Sequence, residues 1–129
     1  EPRAARVIGV ESSASAVNDF RVNLAEFDRV EVHHGLVEDV VAQFSMPFHA
    51  AVLDPPRAGC GPRVIEAVVA QRIDRVVMVS CDPATLARDM RQLIDGKYAL
   101  IEVQPIDLFP QTYHIETVAL LQRANRAIL

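Results

Sequence analysis

Short β-branched runs alternate with helical patterns along nearly the whole chain, and this alternation restricts the possible folds more than any other feature. The runs occupy residues 6–10, 30–33, 49–53, 75–79, 99–103 and 117–121. Between them, Val17, Phe20, Leu24 and Phe27 recur at spacings of three and four, the period of one helix face, with Ser12 or Ser13 able to cap it. A second helix is expected around Val64, Ile65, Val68 and Val69, and a third around Leu86, Met90, Leu93 and Ile94, with a weaker, shorter candidate over 37–44. Strand and helix in turn predict a parallel sheet covered on both faces, the doubly wound α/β class. The last two strands break the rule. Only the polar, proline-containing loop 104–115 joins them, which leaves no room for a crossover helix and predicts an antiparallel hairpin.

A chain of 129 residues, 50% of them apolar, can bury one core but not two, so residues 1–129 are read as a single domain. It contains no internal repeat, linker or low-complexity stretch. No run of apolar residues is long enough for a membrane helix, and Glu1-Pro2-Arg3 has no secretory layout, so a cytoplasmic, soluble protein is the expectation. The first strand-like run begins almost at once, as in a piece cut from a larger chain. Cys60 and Cys81 form neither a CxxC nor a Cys/His pair of zinc spacing, which argues against a metal site. Spacing leaves a disulfide open, but the missing secretory signal favours two free thiols. The net charge of -4 has the wrong sign for holding RNA by phosphate neutralisation alone, so any grip on nucleic acid must come from a local patch or from other parts of a larger protein.

In open α/β sheets, ligands gather beyond the carboxyl ends of the strands, and the unusual residues of this chain fall there. Glu11 ends the first strand, where nucleotide-binding sheets keep a carboxylate for ribose hydroxyls; a solvated surface acid is the bland alternative. Asp54-Pro55-Pro56-Arg57 ends the third, two prolines stiffening the loop that carries the carboxylate, although a simple strand terminator reads the same way. Ser80-Cys81-Asp82-Pro83 ends the fourth, with Asp a good N-cap and Pro a good first helical residue. Cys81 thus lies near the positive end of a helix dipole, which favours thiolate; the competing reading is a buried cysteine acting as a small hydrophobe. Cys60, in the glycine-flanked Ala58-Gly59-Cys60-Gly61, has no such setting and reads as a bystander. His114 and Glu116, just before the last strand, are candidates for an acid or base if they face the cleft.

Four segments, taken in order, resemble the RNA 5-methyluridine methyltransferase family: 7–11 (Val7 to Glu11), 54–59 (Asp54 to Gly59), 79–89 (Val79 to Asp89) and 107–116 (Asp107 to Glu116, including Phe109). The resemblance implies a Rossmann-like S-adenosylmethionine-dependent methyltransferase fold, a mostly parallel sheet ending in the antiparallel hairpin. It also implies methyl transfer to C5 of a uridine in transfer or ribosomal RNA, with Cys81 as nucleophile, Glu116 as general base, and Glu11 and Asp54 as contacts to S-adenosylmethionine. The target uridine would have to be unstacked or flipped to be reached, with Pro55-Pro56 a wall of its pocket and Arg57 either on a phosphate or paired with an acid.

The chain departs from the family's pattern at Asp82, where Asn is usual, and at Gly35, where an Asn or Asp faces the cofactor; Glu38 or Asp39 are the substitutes at hand. The family's first sheet strand with its glycine-rich loop, a glutamine-bearing segment and often a small β-barrel have no counterpart in the sequence. That strand lies between those of Val7 and Val52, so the two edges are expected to pair directly or to be covered by self-association. Two other readings compete. One is a non-catalytic α/β module without cofactor affinity of its own. The other is an amino-directed methyltransferase, which would need neither a thiol adduct nor a base for C5.

Overall fold

The computed structural model of the chain describes residues 4–108 and 110–124; Glu1-Pro2-Arg3, Phe109 and residues 125–129 lie outside the described residues. The chain divides into two compact units, Glu1–Ser45 and Met46–Leu129.

In the first unit, β1 (Val7–Glu11) and β2 (Val30–His34) pair in parallel, Val7 opposite Val30 and Glu11 opposite His34, around α1 (Ala14–Asn23) and the short α2 (Val37–Val41). Ser13 is the N-cap of α1, its hydroxyl accepting from the Ala16 N–H at 3.4 Å. Gly9 lets the helix come close, because a Cβ there would sit 2.8 Å from the Phe20 ring. Arg6 and Glu31 form an ion pair that holds the Glu31 carboxyl below its usual range. Phe27, expected on the helix face, falls beyond the C-cap Leu24 and is 50% exposed. Likewise the helix expected over 37–44 stops at Val41.

The second unit follows the expected alternation: β3 (Ala50–Leu53), α3 (Pro62–Ala70), β4 (Arg75–Ser80), α4 (Pro83–Asp95), β5 (Tyr98–Ile106) and β6 (Glu116–Arg123). Sheet order is β3-β4-β6-β5, with β3 and β4 parallel and β6 antiparallel to both its neighbours. Alternate residues of β4, namely Val76, Met78 and Ser80, are buried, as a half-covered strand requires. Val76 and Met78 share a core with Ala119 and Leu121 of β6, Ile65 and Val68 of α3, and Leu86 and Leu93 of α4. Tyr98 enters the same core and satisfies its hydroxyl by donating to the Ile73 carbonyl at 2.6 Å.

The hairpin forms, but its loop is shorter than 104–115 because β5 runs on to Ile106. Pro105 is tolerated inside that strand because β5 is the outer edge of the sheet, where a missing N–H breaks no ladder. The pairing shifts between Leu100 and Glu102, a β-bulge that lets the long edge strand follow β6. β1 and β3, expected to pair or to be covered, belong to different sheets, and Val52 is 71% exposed.

Candidate active site

Glu11, the last residue of β1, leads directly into the capped start of α1. Its Oε1 accepts the Ser13 N–H at 2.7 Å and the Ser12 hydroxyl at 3.4 Å, and the other carboxylate oxygen makes no hydrogen bond among the described residues. After β2, Gly35 donates its N–H to the Glu11 carbonyl at 3.0 Å, and Glu38 and Asp39 lie in the first turn of α2.

In the second unit, three of the predicted residues gather at one end of the sheet. Asp54 follows β3, Cys81 follows β4, and antiparallel β6 begins at Glu116 beside the end of β4. The β4–β6 register runs from Arg75 opposite Gln122 to Ser80 opposite Thr117, and one further step on each strand reaches Cys81 and Glu116. Both side chains are partly exposed, so Cys81 is not sealed into the core as a small hydrophobe would be. Asp54 is exposed at the rim. At the opposite end of this sheet, His49, Asp74, Arg75 and Arg123 line an open cavity of about 410 Å³ that holds none of these residues.

Helix α4 starts as the sequence predicts. Asp82 is the N-cap, its carboxylate accepting the Thr85 N–H at 2.9 Å, and Pro83 follows. That hydrogen bond holds the Asp82 carboxyl below the usual carboxylate range. Ser80 closes the preceding turn, its hydroxyl accepting from the Asp82 N–H at 3.1 Å.

The loop after β3 is tied to the same helix. Thr85 Oγ1 donates to the Arg57 carbonyl at 3.0 Å, Arg88 Nη2 to the Ala58 carbonyl at 2.7 Å, and the Cys60 N–H to Asp89 Oδ2 at 2.6 Å. Asp89 is fully buried, and Arg88 balances its charge. Both residues close the 79–89 segment that carries the resemblance, which assigns them no role; Asp89 also falls between Leu86 and Leu93 on the apolar side of the helix, where a carboxylate needs partners. Burial pushes the Cys60 thiol up to about 12, Asp89 reinforcing the effect and Arg88 opposing it, in keeping with the bystander reading. Cys60 and Cys81 are both free thiols.

Arg57 Nη2 lies 3.3 Å from His114 Nε2, linking the loop after β3 to the one before β6, and the Arg57 charge also helps to hold the Asp82 carboxyl low. The His114 ring in turn packs against Tyr113, centroids 4.2 Å apart.

The α/β elements, with the antiparallel β5–β6 hairpin, are of the Rossmann-like methyltransferase fold class. Within that class the chain belongs to the tRNA (uracil-5-)-methyltransferase family, whose model matches residues 6–124. Two similar proteins are uncharacterised RNA methyltransferases: that of Gloeobacter violaceus is 47% identical over 124 residues (95% of this chain, 27% of that protein), and that of Thermotoga maritima 42% identical over 125 residues (95% and 28%). Among solved structures, the tRNA (uracil-54, C5)-methyltransferase of Pyrococcus abyssi, in complex with S-adenosyl-L-homocysteine, is similar with a TM-score of 0.76 and 32% identity, over 90% of this chain and 28% of that one. The chain therefore spans a little over a quarter of the length of these relatives. Among the described residues, no helix is long and apolar enough to cross a membrane.

Proposed function

We propose that the chain is the nucleophile-bearing part of an enzyme that methylates C5 of a uridine in transfer or ribosomal RNA, and that both units belong to one catalytic domain. The observation that carries this reading is the register that leaves Cys81 and Glu116 at facing positions beyond the last β4–β6 pair. A sulfur and a carboxylate at one rim suit a reaction that needs both a temporary nucleophile and a base.

C5 of uracil is too weak a nucleophile to be methylated directly. Cys81, as thiolate, adds to C6; the C5–C6 double bond opens, the electrons move towards O4, and C5 gains carbanion character. S-adenosylmethionine, when bound, supplies the electrophilic methyl group for that carbon. Glu116 then takes the C5 proton, the double bond re-forms, and the C6–S bond breaks to return Cys81.

The residues present fit this cofactor. Glu11 is held through one oxygen by the Ser13 N–H at 2.7 Å, which leaves the other free to accept from a ribose hydroxyl. Asp54, exposed on a loop stiffened by Pro55 and Pro56, is the second contact. The uridine reaches such a rim only when unstacked.

Incubating the complete protein with unmodified RNA and S-adenosylmethionine, then digesting to nucleosides, tests the reading. 5-Methyluridine is expected from the native protein and none from Cys81→Ala. Methylation on a nitrogen, or C5 methylation that survives the substitution, would overturn it.

A further inference from the structure

Three backbone groups of the irregular segment after β3 are held by residues on one side of α4. Thr85, Arg88 and Asp89 follow helical spacing and take, in order, the Arg57 carbonyl, the Ala58 carbonyl and the Cys60 N–H. The Gly59 N–H closes the turn onto the Pro56 carbonyl at 2.8 Å. Gly59 is required twice over: its φ of +83° favours glycine, and a Cβ would sit 2.5 Å from Asp89 Oδ2 and from Arg88 Nη2. Asp89, with none of its surface exposed, also accepts from Arg88 Nε at 3.1 Å and Nη2 at 2.9 Å. An apolar side chain at that position would leave the Cys60 N–H and the Arg88 guanidinium without their acceptor. What the carboxylate does is bond the loop.

We propose that Thr85, Arg88 and Asp89 are positioning residues that hold the Asp54-Pro55-Pro56 loop at a set distance from Cys81, which leaves the sheet one residue before the N-cap of the same helix. The inference rests on the reading of Cys81 as nucleophile and Asp54 as cofactor contact. Its physical content is that one helix carries two parts of the site. Slack in the loop displaces the methyl donor relative to the sulfur, and a displacement of about 1 Å is enough to cost on the order of 10²-fold in rate.

The test compares variants of the complete protein. Asp89→Ala is expected to lower kcat about 100-fold and the isosteric Thr85→Val about 10-fold, while KM for S-adenosylmethionine and for RNA moves less than about threefold. Asp89→Asn, which keeps an acceptor for the Cys60 N–H, should recover part of the loss. Leu93→Ala, buried in the same helix but remote from the loop, provides a melting-point decrease of similar size and should leave kcat within about threefold. Equal loss of kcat in Leu93→Ala, or a rise in KM at constant kcat in the other variants, would reject positioning.

Amide hydrogen exchange supplies a readout free of activity, and it still decides if Asp89→Ala does not fold. Residues 57–60 should exchange about tenfold faster in Thr85→Val while β4 amides keep their protection; unchanged exchange overturns the proposal. A native protein that makes no 5-methyluridine sinks the functional reading alone, and the exchange result still shows whether these bonds hold the loop.

Discussion

Ser80 and Thr117 face each other as the last pair of the antiparallel β4–β6 ladder, and the chain runs on from them in opposite directions to Cys81 and Glu116. The relation follows from β6 lying between β4 and β5, so that the end of one strand and the start of the other share a rim. A one-residue slip of either strand would turn its side chains to the wrong face, and the buried alternation of Val76, Met78, Ala119 and Leu121 resists such a slip. Core packing thus sets the geometry of the candidate site.

If Glu116 is the base that takes the C5 proton, Glu116→Gln blocks resolution rather than attack. Turnover in the complete protein should fall about 10²–10⁴-fold, while RNA remains covalently attached through Cys81. Denaturing gel electrophoresis of the reaction mixture checks this, and rapid turnover with no retained RNA would exclude Glu116 from the role.

The two cysteines should separate in alkylation. With the Cys60 thiol pushed up to about 12, it carries almost no thiolate at pH 8, whereas Cys81 lies partly exposed at the rim. Iodoacetamide at pH 8 is therefore expected to label Cys81, located by peptide mass spectrometry. Preferential labelling of Cys60 would contradict the burial described for it.

Asp82 offers a pH test of the α4 cap. Its carboxyl titrates lower in the folded protein than its ordinary value of 3.8, so its stabilising effect is fully present above that value and is lost as pH falls through the folded one. Asp82→Asn keeps a capping oxygen but does not titrate. The variant should match the native protein at pH 7 and lose less stability on acidification below about pH 4 in urea titrations. Identical acid limbs would show that the cap does not depend on charge.

Leu121, with none of its surface exposed in the middle of β6, measures how much of the fold rests on the inserted strand. Leu121→Ala should cost about 2–5 kcal/mol by urea unfolding. A change below about 0.5 kcal/mol would mean that the strand is not packed as described.

Local signals were legible from residues close together in the chain. The β-branched runs, a serine cap before α1, the Asp82 cap, Pro83 at the first helical position and the antiparallel hairpin all rest on chemistry within a few residues and are all present, with element ends shifted by a few residues. The extension of β5 through Pro105 was not legible, because a proline is tolerated there only on an outer edge, and strand order is a property of the whole sheet. Asp89 was legible as part of the matched 79–89 segment, but its role was not, because its carboxylate is satisfied by Cys60, 29 positions away.

The sequence by itself determined which segments are strands and helices and which polar residues end them, because periodicity, capping and turn chemistry act between near neighbours. Only the tertiary structure decided that β6 inserts beside β4, that Cys81 and Glu116 therefore emerge together, and that Thr85, Arg88 and Asp89 hold the loop after Asp54. Those relations join residues about 30 positions apart along the chain, and burial with hydrogen-bond satisfaction, not local preference, selects among the ways of bringing them together.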